Sequence, residues 1–80
     1  MTPAALRLDL LARGRKAVIE AVSGTGPVPL RLMEMGLLPG AEISVIRFAP
    51  FGDPMEVEVT GCRLVMRRAE AGLISVRDPQ

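Results

Sequence analysis

Met55-Glu56-Val57-Glu58-Val59-Thr60-Gly61-Cys62-Arg63-Leu64-Val65-Met66-Arg67 is the stretch on which the reading of the fold turns. Met55, Val57 and Val59 alternate strictly with Glu56, Glu58 and Thr60, and Leu64 and Met66 alternate with Arg63, Val65 and Arg67. A period of two gives each half one apolar face, so the spacing predicts strands over 55–60 and 62–67 joined as a hairpin. On the same alternation Cys62 reads as a small buried core residue rather than a reactive thiol. Glu56 and Glu58 can pair with Arg63 and Arg67 across the hairpin, for roughly a few tenths of a kcal/mol each.

Further strands are expected outward from this hairpin, over 42–48 before it and 73–77 after it. Lys16 to Val22 makes another, with Ala17, Ile19 and Ala21 on one face and Glu20 on the other. About five short strands around one core leave too many open edges for a flat sheet, and closure into a small SH3-like barrel removes them. The expected class is therefore mainly β, with one or two short helices.

The strand over 42–48 is preceded by a helix and two turns. Pro29 can open a helix because its missing N–H is not needed in the first turn, and nothing from Leu30 to Met35 breaks it. Gly36 stops it, and Leu37 folds back on the last helical turn as a hydrophobic clasp. Pro39-Gly40 presets a type II turn into the next strand. Helical spacing turns Leu32 and Met35 inward, leaving Arg31, Met33, Glu34 and Leu38 as a candidate partner surface, although Met33 and Leu38 could also pack inward. Nearer the N-terminus, Asp9 could cap a short turn over 10–13 that ends at Gly14.

Eighty residues bury one core, so the expectation is one domain spanning 1–80 with its core at about 8–77. At 49% hydrophobic and 24% charged the chain can fill that core and stay soluble. Its apolar runs fall short of the roughly 20 residues that cross a bilayer, and Arg7 and Asp9 interrupt any signal-peptide core. One cysteine cannot form an internal disulfide, which suits a reducing cytoplasm. Ten basic against nine acidic residues give a net charge of +1, too weak a field for nucleic acid, and only Phe48 and Phe51 could stack on bases. Phe48 is expected in the core.

There is no His, Tyr or Trp, and Ser23, Ser44 and Ser75 have no evident activating partner, so no catalytic constellation can be assembled. One thiol and scattered carboxylates do not make a metal cage; Glu34, Glu42 and Asp53 read as solvated, and no cofactor or metal site is assigned. Ser23-Gly24-Thr25-Gly26 lacks the lysine of a phosphate-binding loop and reads as a flexible turn. Phe51, between Pro50 and Gly52 and followed by Asp53, either covers the barrel mouth or forms a second partner-binding element. Arg67 and Arg68 read as a solvated face, with contact to an acidic partner as the alternative.

Arg31-Leu32-Met33-Glu34-Met35-Gly36-Leu37-Leu38-Pro39-Gly40 resembles the signature of the FeoA family, in which a helix ending in Met/Leu-Gly-Leu leads through Pro-Gly into a strand. Leu32, Met35, Gly36, Leu37, Pro39 and Gly40 carry that motif. Ala49 to Pro54 resembles the family's proline-bounded loop, Gly61 to Leu64 its hairpin, and the run from Leu64 to Val76 its closing pattern, with Met66 at a usual leucine. The resemblance implies a cytoplasmic, non-enzymatic accessory protein of ferrous iron uptake, peripheral to the inner membrane. Its implied partner is an FeoB-type transporter carrying a GTP-binding domain. The chain itself is expected as a monomer or a weak homodimer paired through strand edges. The alternative is a small metal-binding or regulatory SH3-like domain related to the C-terminal domain of iron-dependent repressors, although no helix-turn-helix segment is present.

Overall fold

The computed structural model describes residues 6–79; residues 1–5 and 80 of the expected 1–80 domain lie outside the described residues. Six strands form one antiparallel sheet: β1 (Leu6–Arg7), β2 (Lys16–Val22), β3 (Glu42–Phe48), β4 (Met55–Val59), β5 (Cys62–Met66) and β6 (Ile74–Arg77). Their order across the sheet is β1-β6-β2-β3-β4-β5. Two helices, α1 (Pro27–Glu34) and α2 (Arg68–Ala71), lie in the β2–β3 and β5–β6 connections. The mainly β class is as expected, but the count of five misses β1, a two-residue strand that pairs Leu6 with Val76 and Arg7 with Ser75. No ladder joins β1 to β5 among the described residues, so the sheet coils around its core yet keeps two open edges.

Two bulges coil the sheet and decide which residues turn inward. Register shifts between Ile19 and Ala21, and between Val45 and Arg47, leave Glu20 and Ile46 as extra residues. A bulge changes the parity of the alternation and increases the local twist. Beyond Glu20 the inward residue is Val22, packed against the core, whereas Ala21 is exposed, contrary to the expected Ala17-Ile19-Ala21 face. Beyond Ile46 it is Phe48, which packs against the core as expected.

The core holds Ala17, Ile19, Ile43, Val45, Met55, Val57, Val59, Met66, Ile74 and Val76 from the strands, with Leu8, Leu11, Leu32, Leu37 and Ala71 from between them. Leu8 arrives on a 3-10 turn, Leu8–Leu10, two residues earlier than the turn expected after Asp9. Asp9 does not cap it; its carboxylate accepts two hydrogen bonds from the Arg7 guanidinium, both at 3.1 Å. Cys62 is exposed rather than buried: it begins the edge strand β5 beside the Thr60-Gly61 turn, although its register partner Val59 is fully buried.

α1 starts at Pro27, two residues before the expected Pro29, so both prolines occupy the first turn where no N–H is required. Its end is the expected clasp. Gly36, at φ +102°, donates its N–H to Met33 O at 3.0 Å, and Leu37 donates to Leu32 O at 3.2 Å. These are the two bonds of a Schellman closure, with Leu37 packed over Leu32. Leu37 takes the inward position expected of Met35, which is 37% exposed. The Pro39-Gly40 turn closes with Ala41 N–H to Leu38 O at 3.0 Å, and Gly40 N–H reaches Ile19 O at 2.8 Å, fastening the turn to β2.

The β4–β5 hairpin turns through Thr60 and Gly61, both at positive φ (+48° and +84°). A β-branched residue is poorly suited to that conformation. Thr60→Asn is expected to raise the unfolding free energy by about 0.5–1 kcal/mol in urea denaturation. At Gly36 an added Cβ would meet nothing within 4 Å, so only backbone strain opposes substitution. Gly36→Ala is expected to cost about 1–2 kcal/mol in the same assay, and Gly36→Val more.

Candidate functional site

The surface predicted on α1 and the clasp is only partly the one the fold presents. Arg31, Glu34 and Leu38 are exposed, but Met33 is half-buried, because the inward stripe of α1 runs along Pro29 and Leu32 with Met33 at its margin. Exposed in its place are Leu30 and Met35. A rotation of the helix by a fraction of a turn is enough to make this exchange, and no single-residue property in the sequence fixes it. Leu38, 48% exposed, stands on the outer side of the clasp whose inner side is Leu37.

Phe51 does not fold over the barrel mouth. Its side chain is 100% exposed at the tip of the loop between β3 and β4. That loop is nevertheless held at its base: Gly52 N–H donates to Ala49 O at 2.7 Å, Ala49 N–H to Pro54 O at 2.9 Å, and the Asp53 carboxylate accepts the Arg68 N–H at 3.0 Å. Asp53 thus serves the first turn of α2, where an acidic side chain is favoured by the free N–H groups. A fixed loop presenting a bare aromatic ring is a preorganised contact, because little ordering remains to be done on binding.

The two predicted regions are joined through α2, which sequence reasoning left out of the site. Glu70 accepts the Arg67 N–H at 2.9 Å with one carboxylate oxygen and the Arg31 guanidinium at 2.7 Å with the other, tying α1 to α2. Arg68 was expected on a solvated face together with Arg67, yet it is half-buried and touches three segments. Its guanidinium lies 5.0 Å from the centre of the Phe48 ring and donates to Asp9 O at 2.7 Å and to Gly52 O at 3.4 Å. A planar fork can stack and donate at once, which a lysine ammonium cannot reproduce. The expected Arg67 pairing with Glu56 or Glu58 does not form. Glu56 instead pairs with Arg47 at 2.7 Å, and Arg63 stands 3.9 Å from Glu56 and 3.8 Å from Glu58.

Among the described residues no three His, Cys, Asp or Glu side chains gather as metal ligands, and Glu34, Glu42 and Asp53 do not come together as one group. No helix among them is long and apolar enough to cross a membrane. What the surface offers is apolar side chains (Leu30, Met35, Leu38, Phe51) beside charges already fixed by hydrogen bonds.

The family model described as FeoA domain matches residues 6–78. The chain belongs to the FeoA domain family. It is 37% identical over 71 residues to the Fe(2+) transport protein A/Fe(2+) transporter FeoB fusion protein of Porphyromonas gingivalis, a match covering 89% of this chain and 8% of that protein. The FeoA protein of Chlorobium tepidum, solved by NMR, superposes with a TM-score of 0.87 at 43% identity, covering 94% of this chain and 71% of that one. The crystal structure of Stenotrophomonas maltophilia FeoA complexed with zinc, described as a prokaryotic SH3 domain protein, superposes with a TM-score of 0.81 at 30% identity, covering 90% of this chain and 89% of that one. A manganese-dependent transcriptional repressor shares the fold at a TM-score of 0.82 and 19% identity. The SH3 description of the Stenotrophomonas maltophilia neighbour fits the coiled six-stranded sheet.

Arg68→Lys is expected to lower the unfolding free energy by about 1–2 kcal/mol, and Arg68→Ala by more, while Arg67→Ala stays within about 0.5 kcal/mol; thermal denaturation of the three variants checks the order.

Proposed function

We propose that this chain is a non-enzymatic cytoplasmic accessory module of ferrous iron uptake that docks on the cytosolic part of an FeoB-type transporter and tunes its GTP cycle or assembly. The observation that carries this reading is the Porphyromonas gingivalis relative, in which an FeoA segment and FeoB share one polypeptide. Covalent linkage holds two modules at an effective concentration of about millimolar, which favours partners that engage one another.

Leu38 and Phe51 are the apolar anchors of this interface, with Leu30 and Met35 beside them. Complete burial of an exposed phenylalanine ring contributes about 2–3 kcal/mol, enough to dominate a modest contact. Arg31, Glu34 and Asp53 orient it. Arg31 and Asp53 are already held by Glu70 and the Arg68 N–H, so their positions are set before the partner arrives. Ferrous iron is the transporter's cargo in this reading, and the accessory chain acts through contact rather than by coordinating it. The alternative drawn from metal-dependent repressors rests on the fold alone, the manganese-dependent repressor being 19% identical.

Titration calorimetry against the purified cytosolic domain of the FeoB-type transporter from the same cell tests the proposal. Phe51→Asp and Leu38→Asp are expected to weaken binding by about ten-fold or more each while moving the thermal midpoint by no more than about 2 °C. Undiminished affinity in both variants, or no binding by the unaltered chain, contradicts it.

A further inference from the structure

We propose that the open edge of β5 is a second docking surface, which takes an extended segment of a partner protein as a seventh strand. The segment places acidic residues opposite Arg63 and Arg67 and an apolar residue opposite Val65. The surface stands apart from α1 and borders the base of the Phe51 loop without using the Phe51 ring.

The backbone comes first. β5 pairs with β4 alone among the described residues, and its hairpin closes on the Val59–Cys62 pair across the two-residue Thr60-Gly61 turn. In that geometry the closing pair exchanges both of its hydrogen bonds, so Cys62, Leu64 and Met66 aim their backbone groups at β4. Arg63 and Val65 therefore aim their N–H and C=O away from the sheet, as an unsatisfied ladder. Edges of this kind add strands from other chains through main-chain bonds, with specificity left to alternate side chains.

The side chains say which strand fits. Across the outer face, one row of register partners runs Lys16, Ser44, Glu58, Arg63, and the next runs Arg47, Glu56, Val65. Charge alternates along the first row and stops at Arg63, on the edge. Arg63 reaches Glu58 and Glu56 only at 3.8 and 3.9 Å and is mostly exposed, so it can take a further carboxylate. Arg67, two positions past Val65, is exposed and has no side-chain ion pair among the described residues. Between the two arginines Val65 is 65% exposed. Beside it opens a cleft of about 390 Å³ lined in part by Ala49, Pro50, Pro54 and Val65 and by the Arg47–Glu56 pair. An apolar side chain opposite Val65 enters that cleft as the flanking acids meet the arginines.

A second copy fits poorly in the register that pairs the two apolar positions. Two β5 edges paired antiparallel with Val65 against Val65 set Arg63 of each copy opposite Arg67 of the other, and like charges directly opposed destabilise a ladder. The same arginines that blunt the edge toward itself complement an acidic strand.

The test is NMR titration of the full chain, at low salt, with the blocked peptide Thr-Glu-Thr-Val-Thr-Glu-Thr and its counterpart bearing lysine in place of both glutamates. The acidic peptide is expected to shift the Arg63 and Val65 amides, slow their exchange, and bind about ten-fold more tightly than the basic one. Arg63→Glu combined with Arg67→Glu reverses the preference. Val65→Pro, which removes an N–H that makes no bond within the sheet, weakens binding of the acidic peptide. No shift at Arg63 and Val65 with millimolar acidic peptide, equal response to both peptides, shifts confined to α1, or self-association of the chain through β5 would each overturn the proposal.

Discussion

Filling the inside of a small coiled sheet is the constraint on which everything else in this molecule depends. The strands supply mostly Val, Ile and Met to the interior, and these do not complete it. Leu8, Leu32 and Leu37, each fully buried, come from a 3-10 turn, a helix and the residue after that helix. A buried leucine removed from such a core costs about 3 kcal/mol, a large share of what an 80-residue domain has to spare. The irregular segments are therefore as much part of the core as the strands, and their outer sides are fixed in consequence. Leu37 turns inward, so Leu38 turns out.

α2 extends the same logic to the outside of the barrel. It is one turn long and would not persist alone in water. It is held by what it touches: Glu70 to α1, the Arg68 backbone to Asp53, and the Arg68 guanidinium to Phe48, Gly52 and Asp9. Through these bonds the α1 face and the Phe51 loop have one common anchor.

Much of this was legible in the sequence, where a single local rule governs. The 55–66 hairpin, the Gly36-Leu37 clasp and the Pro39-Gly40 turn follow from spacing or backbone preference over a few residues, while the FeoA resemblance rests on motifs met in order along the chain. What failed involved parity or partners. Bulges at Glu20 and Ile46 shift the alternation by one, and no residue type marks a bulge, so Ala21 was assigned to the wrong face. Cys62 follows the correct alternation but begins the edge strand beside the hairpin turn, where it stays exposed even though Val59 opposite is buried. Met33 and Met35 exchanged roles because the rotation of a short helix is set by the interior it packs on. Arg68 was unreadable, since its three contacts lie 16 to 59 residues away or across the sheet.

In the proposed reading the barrel keeps its exposed leucine and phenylalanine in place for a partner in ferrous iron transport. Hydrogen–deuterium exchange of the intact chain, alone and with the cytosolic domain of an FeoB-type transporter, tests that claim most directly. Added protection at the amides of residues 35–38 and 50–53, with the slow exchange of β3 and β4 unchanged, is the predicted result. An exchange pattern that the transporter domain leaves unaltered throughout the chain, or alters only within the barrel core, would contradict it.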